Sequence, residues 1–172
     1  FEQGDGKLFC AVYISMGRIT NREEGGPQYL DAFNEIARDL GLAFIVTPNT
    51  NLIIADVAPE QKATVDAILA KHAVPHADGM TATRRVAHAC VALPTCPLAM
   101  AEAERYYPDF LAQLERLTLK HGVADQEIVT RITGCPNGCG RAMLAEIGLV
   151  GKALGRYNLH TGGNREGTRI PR

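Results

Sequence analysis

The sequence predicts an α+β chain in two parts, the second of α/β character, and three observations carry that prediction. Residues 8–74 alternate short β-prone runs with segments of helical period, in the order β-α-β-β-α. The stretch "VPHADGMTATRR", residues 74–85, then gathers turn formers and charge as a linker does, placing a boundary that divides the chain into 1–80 and 81–172. Beyond it, further strand and helix signals surround two close pairs of cysteines.

Taken in order, "LFCAVYI" from Leu8 to Ile14 is short, apolar and β-prone, which makes Cys10 a small buried strand residue. "GGPQYLDAFNEIARDLGLA" follows as an amphipathic helix, with Pro27 near its start, Leu30, Phe33, Ile36, Ala37 and Leu40 at helical spacing, and Gly41 as its stop. "AFIVTP" and "NLIIADV" read as two strands about the turn Pro48-Asn49-Thr50, and "APEQKATVDAILAKHAV" as a second helix starting at Ala58 or Pro59. This α+β half lacks a further strand that would complete its sheet, so the sheet is expected to pair elsewhere.

In the second part, Thr95 and Pro97 predict a helix that starts directly after Cys96, with Leu98, Ala101 and Ala103 opening its apolar face. Pro108 should kink or break that helix, and Tyr107, Phe110, Leu114 and Leu117 should continue the buried stripe to Gly122. "QEIVTRIT" reads as an alternating strand running into Gly134-Cys135, "RAMLAEIG" as a short helix, and "LVGKALGRYNLHTGG" as a hairpin. The chain opens on Phe and closes on the polar "NREGTRIPR", so a fragment of a longer protein is expected.

Composition excludes several classes of function. A net charge of −1 and a pI near 6.6 give no chain-wide electrostatic case for nucleic acid or a membrane surface. No apolar run approaches the roughly 18 residues of a spanning helix, and no basic segment followed by an apolar one opens the chain as a secretion signal would. A cytoplasmic protein is therefore expected, in which close cysteine pairs point to metal or redox chemistry before disulfides.

Those pairs are Cys90 with Cys96 and Cys135 with Cys139, and one four-thiolate site requires two distant loops to meet. Four sulfurs can hold zinc or an iron–sulfur cluster. The five-residue gap between Cys90 and Cys96 is long for zinc, while a cluster is wider and accepts it. Gly134, Gly138 and Gly140 let backbone N–H groups approach sulfur, and a helix starting at Asn137 or Gly138 would turn its positive end on Cys139. Iron–sulfur is the favoured reading, with zinc, disulfides and inert thiols left open.

"ACVALPTCPLAMAEAERYYP" and "TGCPNGCGRAMLAEIGLVGKALGRYNLHTGGN" resemble the siroheme-dependent nitrite and sulfite reductases, specifically the haemoprotein of the NADPH-dependent sulfite reductases. The resemblance covers nearly all of 83–172, and more loosely residues 1 to about 80. It implies a ferredoxin-like half-domain followed by an α/β domain that binds siroheme and a 4Fe-4S cluster. By the same resemblance Cys90, Cys96, Cys135 and Cys139 ligate the cluster, and Cys139 also ligates the siroheme iron. Sulfite would be reduced to hydrogen sulfide by six electrons supplied through a separate flavoprotein component, which itself handles NADPH. Arg131, Arg141, Lys152, Arg156 and Arg165 are candidates for the siroheme carboxylates. Asn49 and Asn51 sit where the family carries an Asn-Gln-Asn turn near the haem, with Thr50 in place of the glutamine. Asn137 faces the haem or caps a helix. The substrate-gripping residues lie in a preceding repeat that this chain lacks, so the chain alone is expected to reduce sulfite poorly.

Other residues take plainer readings. His88 is a satisfied loop histidine, His72, His76, His121 and His160 have no ligand spacing, Tyr106 and Tyr107 pack on a helix, and "GGNREG" is no dinucleotide fingerprint. Two alternatives remain from the sequence: a siroheme nitrite reductase, and a non-enzymatic zinc or electron-transfer module.

Overall fold

Short strands and two helices build the first of two units, Phe1–Gly79, and the second runs from Met80 to Arg172. The computed structural model describes residues 1–23 and 25–172. In the first unit β1 (Leu8–Val12), β2 (Ala43–Val46) and β3 (Leu52–Val57) form an antiparallel sheet in the order β1-β3-β2. The apolar run of β3 makes it the central strand, and Ile54 and Val57 pack with residues of α1 (Tyr29–Leu40) and α2 (Lys62–Lys71) in one core.

Tyr29, Ala32, Phe33 and Ile36 are the buried positions of α1, and Gly41 ends it in the left-handed conformation at φ 63°. Leu30, predicted on the apolar face, is exposed instead, because a stripe through 29, 33 and 36 turns it to the other side. Cys10 is half-buried on β1 against this core. The Asn51 side chain accepts the backbone N–H of Ile14 at 3.1 Å, tying the β2–β3 turn to the segment after β1.

The second unit begins within the stretch read as a linker. α3 (Ala82–Val86) forms there because the Thr81 hydroxyl caps it, accepting the Arg84 N–H at 3.1 Å. Strands β4 (His88–Ala89), β5 (Thr130–Thr133), β6 (Ile147–Ala153) and β7 (Arg156–Thr161) follow that spatial order. The β4–β5 and β5–β6 pairs are parallel, and β6–β7 is an antiparallel hairpin. All four residues of β5 are buried, so it is a central parallel strand covered on both faces and not the alternating strand its pattern suggested.

Two predicted helices are replaced by irregular chain. No helix follows Cys96: the N–H groups of Met100 and Ala101 both donate to the Gly134 carbonyl, at 2.9 and 3.0 Å, a distant acceptor that outcompetes the helical ladder. The helix α4 (Tyr107–Lys120) starts later, with Pro108 in its first turn, where a missing N–H costs nothing and no kink results. Its buried residues are Tyr107, Leu111 and Thr118; Phe110 and Leu114 are half-buried and Leu117 is exposed. "RAMLAEIG" yields a single 3-10 turn, Ala142–Leu144, before β6.

Candidate functional site

Strand pairing sets the position of the cysteines. Partners across the sheet share a face, so His88, Arg131, Gly148 and His160 form one row across β4, β5, β6 and β7, and Thr133, Val150 and Asn158 form the next. Just past β4, the Cys90 N–H donates to the Ile132 carbonyl at 3.2 Å, setting Cys90 beside the end of β5. Its sulfur there accepts the Gly134 N–H at 3.2 Å and the Thr133 hydroxyl at 3.7 Å.

Cys135 follows in the same loop and is buried. Its carbonyl accepts the Gly138 N–H at 3.4 Å, and Cys139 lies exposed one residue further on. Gly140 packs so closely that a Cβ there would stand 2.0 Å from the Ile132 carbonyl oxygen and 3.3 Å from the Cys90 nitrogen. That approach draws the Cys139 loop toward the Cys90 strand. Cys96 sits in the loop that the Met100 and Ala101 N–H groups fasten to Gly134, and its own N–H donates to Ala92 at 2.7 Å. All five cysteines are free thiols, so the disulfide alternative is not realised.

The helix expected to turn its positive end on Cys139 does not exist, so neither that dipole nor a helix-capping role for Asn137 applies. Asn137 is exposed in the loop. Gly134 and Thr133 supply donors at Cys90 instead. His88 departs further from its reading, being a buried strand residue and not a loop one. Its ring is hydrogen-bonded to the Cys139 backbone, while Nδ1 has no partner. Burial first, then the charges of Arg141 and Arg131, push this ring down to about 4, and the Cys139 bond opposes them only in part.

Beside the loops lies a cavity of about 520 Å³, lined by Thr133, Pro136, Gly138, Arg141 and the 142–144 turn, with Val150, Asn158 and His160 from the hairpin. Of the five candidate cations only Arg141 lines it. Arg131 is buried; Lys152 and Arg156 are exposed on the hairpin; Arg165 pairs with Glu127 and Glu166 at the surface. Asn158 escaped sequence reading and His160 was read only as a histidine without ligand spacing; the signal that finds them is the hairpin register, which puts both on the face of Arg131 and Thr133. Asn49 and Asn51 belong to the first unit's turn, where the Asn49 carbonyl accepts the Thr50 hydroxyl at 2.6 Å.

Among the described residues no three His, Cys, Asp or Glu side chains form a group that could hold one metal ion. A structural zinc needs four ligands at about 2.3 Å from a point. The donor set fits an anionic group held by several thiolates better, since two donors face the Cys90 sulfur and buried cationic nitrogens nearby lack partners.

Fold and site together define a class. Residues 1–72 match the family model of the nitrite/sulfite reductase ferredoxin-like half domain. More particularly, over 98% of its length it is 54% identical to the sulfite reductase (NADPH) hemoprotein beta-component of Neisseria meningitidis and to that of Dickeya chrysanthemi, and 52% to that of Klebsiella pneumoniae. The chain spans 28% of the length of the first of these relatives and 29% of the other two. The solved structure of the Mycobacterium tuberculosis NirA protein superposes with a TM-score of 0.74 at 23% identity, covering 98% of this chain and 30% of that one, a likeness of fold. No helix among the described residues is long and apolar enough to cross a membrane.

Proposed function

We propose that this chain is the cluster-and-haem-bearing part of an assimilatory sulfite reductase haemoprotein. The observation that carries the reading is the junction of the cysteine loops with the cavity: Thr133 touches the Cys90 sulfur and also lines the cavity, and Pro136 and Gly138 lie between Cys135 and Cys139. A group held by these cysteines and one held in the cavity would therefore be neighbours. Cys90, Cys96, Cys135 and Cys139 would hold a 4Fe-4S cluster, and Cys139, the exposed one, would be shared with a siroheme in the cavity.

Bound together, these groups supply stored electrons for the six-electron reduction of sulfite to sulfide. The chain's own residues bind and orient. Gly134 and Thr133 hold the Cys90 sulfur by hydrogen bonding, Gly140 holds the Cys139 loop against β5, and Arg141 offers its guanidinium and His160 its ring to carboxylates in the cavity. Asn137 keeps its proposed place near the haem by resemblance. The electron donor would be a flavoprotein partner, and the compartment the cytoplasm.

Protein purified without oxygen tests this. Four acid-labile sulfides and five irons per full-length chain, four irons in the cluster and one in the siroheme whose absorption bands accompany it, are expected. Zinc without sulfide would overturn the reading. Cys139→Ser in the full-length protein should disturb both cofactor spectra, and an effect confined to the cluster would remove the bridging role of Cys139. Comparing sulfite with nitrite turnover there separates the two reductases.

A further inference from the structure

Arg131 is only 5% exposed, yet its Nε and Nη1 have no hydrogen-bond partner. Among the described residues, the charged or titratable groups acting on it are Arg141, of the same sign, and Tyr107, with no carboxylate among them. Its row neighbour His88, 6% exposed, also keeps an unpartnered Nδ1. A guanidinium stays protonated at any physiological pH, so the fold carries a buried positive charge and leaves it unbalanced. Such a charge has a large desolvation cost, which an introduced anion would relieve.

The register says where that anion belongs. Arg131 and Thr133 alternate onto one face of β5, and the Thr133 hydroxyl touches the Cys90 sulfur. His88, opposite Arg131, is hydrogen-bonded to the Cys139 backbone. The unpaired charge is therefore flanked by groups that touch two of the four cysteines.

We propose that Arg131 is the built-in counter-charge of the cysteine site, stabilising the reduced form of an iron–sulfur cluster held there. This inference rests on the cluster reading above. Four thiolates outweigh the positive charge of the cluster core, and accepting one electron from an external reductant makes the unit more anionic still. A fixed buried cation favours that reduced state and raises the midpoint potential. Arg131 is a positioning and electrostatic residue, not a ligand.

The test compares the wild-type chain with Arg131→Met and Arg131→Lys, first without metal and then reconstituted anaerobically with iron and sulfide, with dithionite as reductant. Without metal, removing the unbalanced charge should raise the urea midpoint of Arg131→Met above wild type, and a midpoint below wild type, or failure to fold, overturns the proposal. With the cluster loaded, potentiometric titration followed by electron paramagnetic resonance should show a more negative midpoint potential for Arg131→Met, with Arg131→Lys nearer wild type. An unchanged potential at equal iron content overturns the proposal, as does a lysine variant displaced as far as the methionine one. A wild-type chain that takes up no iron and sulfide while the metal-free result holds would instead condemn the cluster reading, and the inference with it.

Discussion

At Gly140 a single hydrogen atom decides whether two cysteine loops can meet. A Cβ there would lie 2.0 Å from the Ile132 carbonyl oxygen, and backbone on a central strand cannot swing aside as a flexible side chain does. Gly140→Ala is expected to destabilise the chain by about 1–3 kcal/mol or more, read as a lower urea midpoint, and to impair iron uptake further because it displaces the Cys139 loop. Gly79→Ala is the control, with nothing within 4 Å of its added Cβ, and should be nearly neutral. Equal stability of the two variants would show that the close approach is not maintained in solution. The cysteines themselves were legible as residues, since their types and spacing alone restrict the chemistry. What surrounds them was less so: His88 read as a loop residue because its strand, β4, is two residues long and exists only through its pairing with β5.

Among the elements, those built from local signals matched their reading and those built from distant partners did not. α1 stops at Gly41 as its sequence says, and the β6–β7 hairpin forms where the glycines allow. The helix expected after Cys96 fails because its amides are committed to Gly134, about thirty residues away, and the one expected over "RAMLAEIG" gives way early to β6. α3 shows the reverse, a helix inside an apparent linker. Its cap residue Thr81 and its Arg84 both engage Glu115 of α4, the Thr81 hydroxyl at 2.7 Å and the Arg84 Nε at 2.9 Å. Those bonds, the Arg84 one foremost, hold the Glu115 carboxyl below its ordinary value. A depressed carboxylate contributes stability that is present above the unfolded-state value and is lost as pH falls through the folded one. Glu115→Gln should therefore cost about 1 kcal/mol at pH 7, modest because both partners are partly solvent-accessible. In urea titrations stepped down into acid, the difference from wild type should shrink to nothing. A gap that stays constant with pH would assign the loss to packing and not to charge.

For the whole molecule, the cavity's charge bears on what the chain can do alone. A siroheme carries many carboxylates, each best met by a cationic or N–H donor. The cavity lining offers one arginine and one histidine, Arg141 and His160, because Arg131 is sequestered in the sheet, Lys152 and Arg156 face solvent, and Arg165 is paired with Glu127 and Glu166. So sparse a set leaves most of a siroheme's charge to be met by groups outside this chain, and the relatives it matches are more than three times its length. The same accounting applies to a doubly charged substrate anion, for which the cavity has no dedicated arginine cluster. Loaded with both cofactors and supplied with reduced methyl viologen, the isolated chain is expected to reduce sulfite at least about 100-fold more slowly than a full-length relative, the size of loss that misplacing reactive groups commonly brings. Cofactor content measured on the same samples separates poor chemistry from poor loading. Turnover comparable to that of the full-length relative would mean that Arg141, His160 and the backbone amides of the two cysteine loops suffice for substrate as well as cofactor.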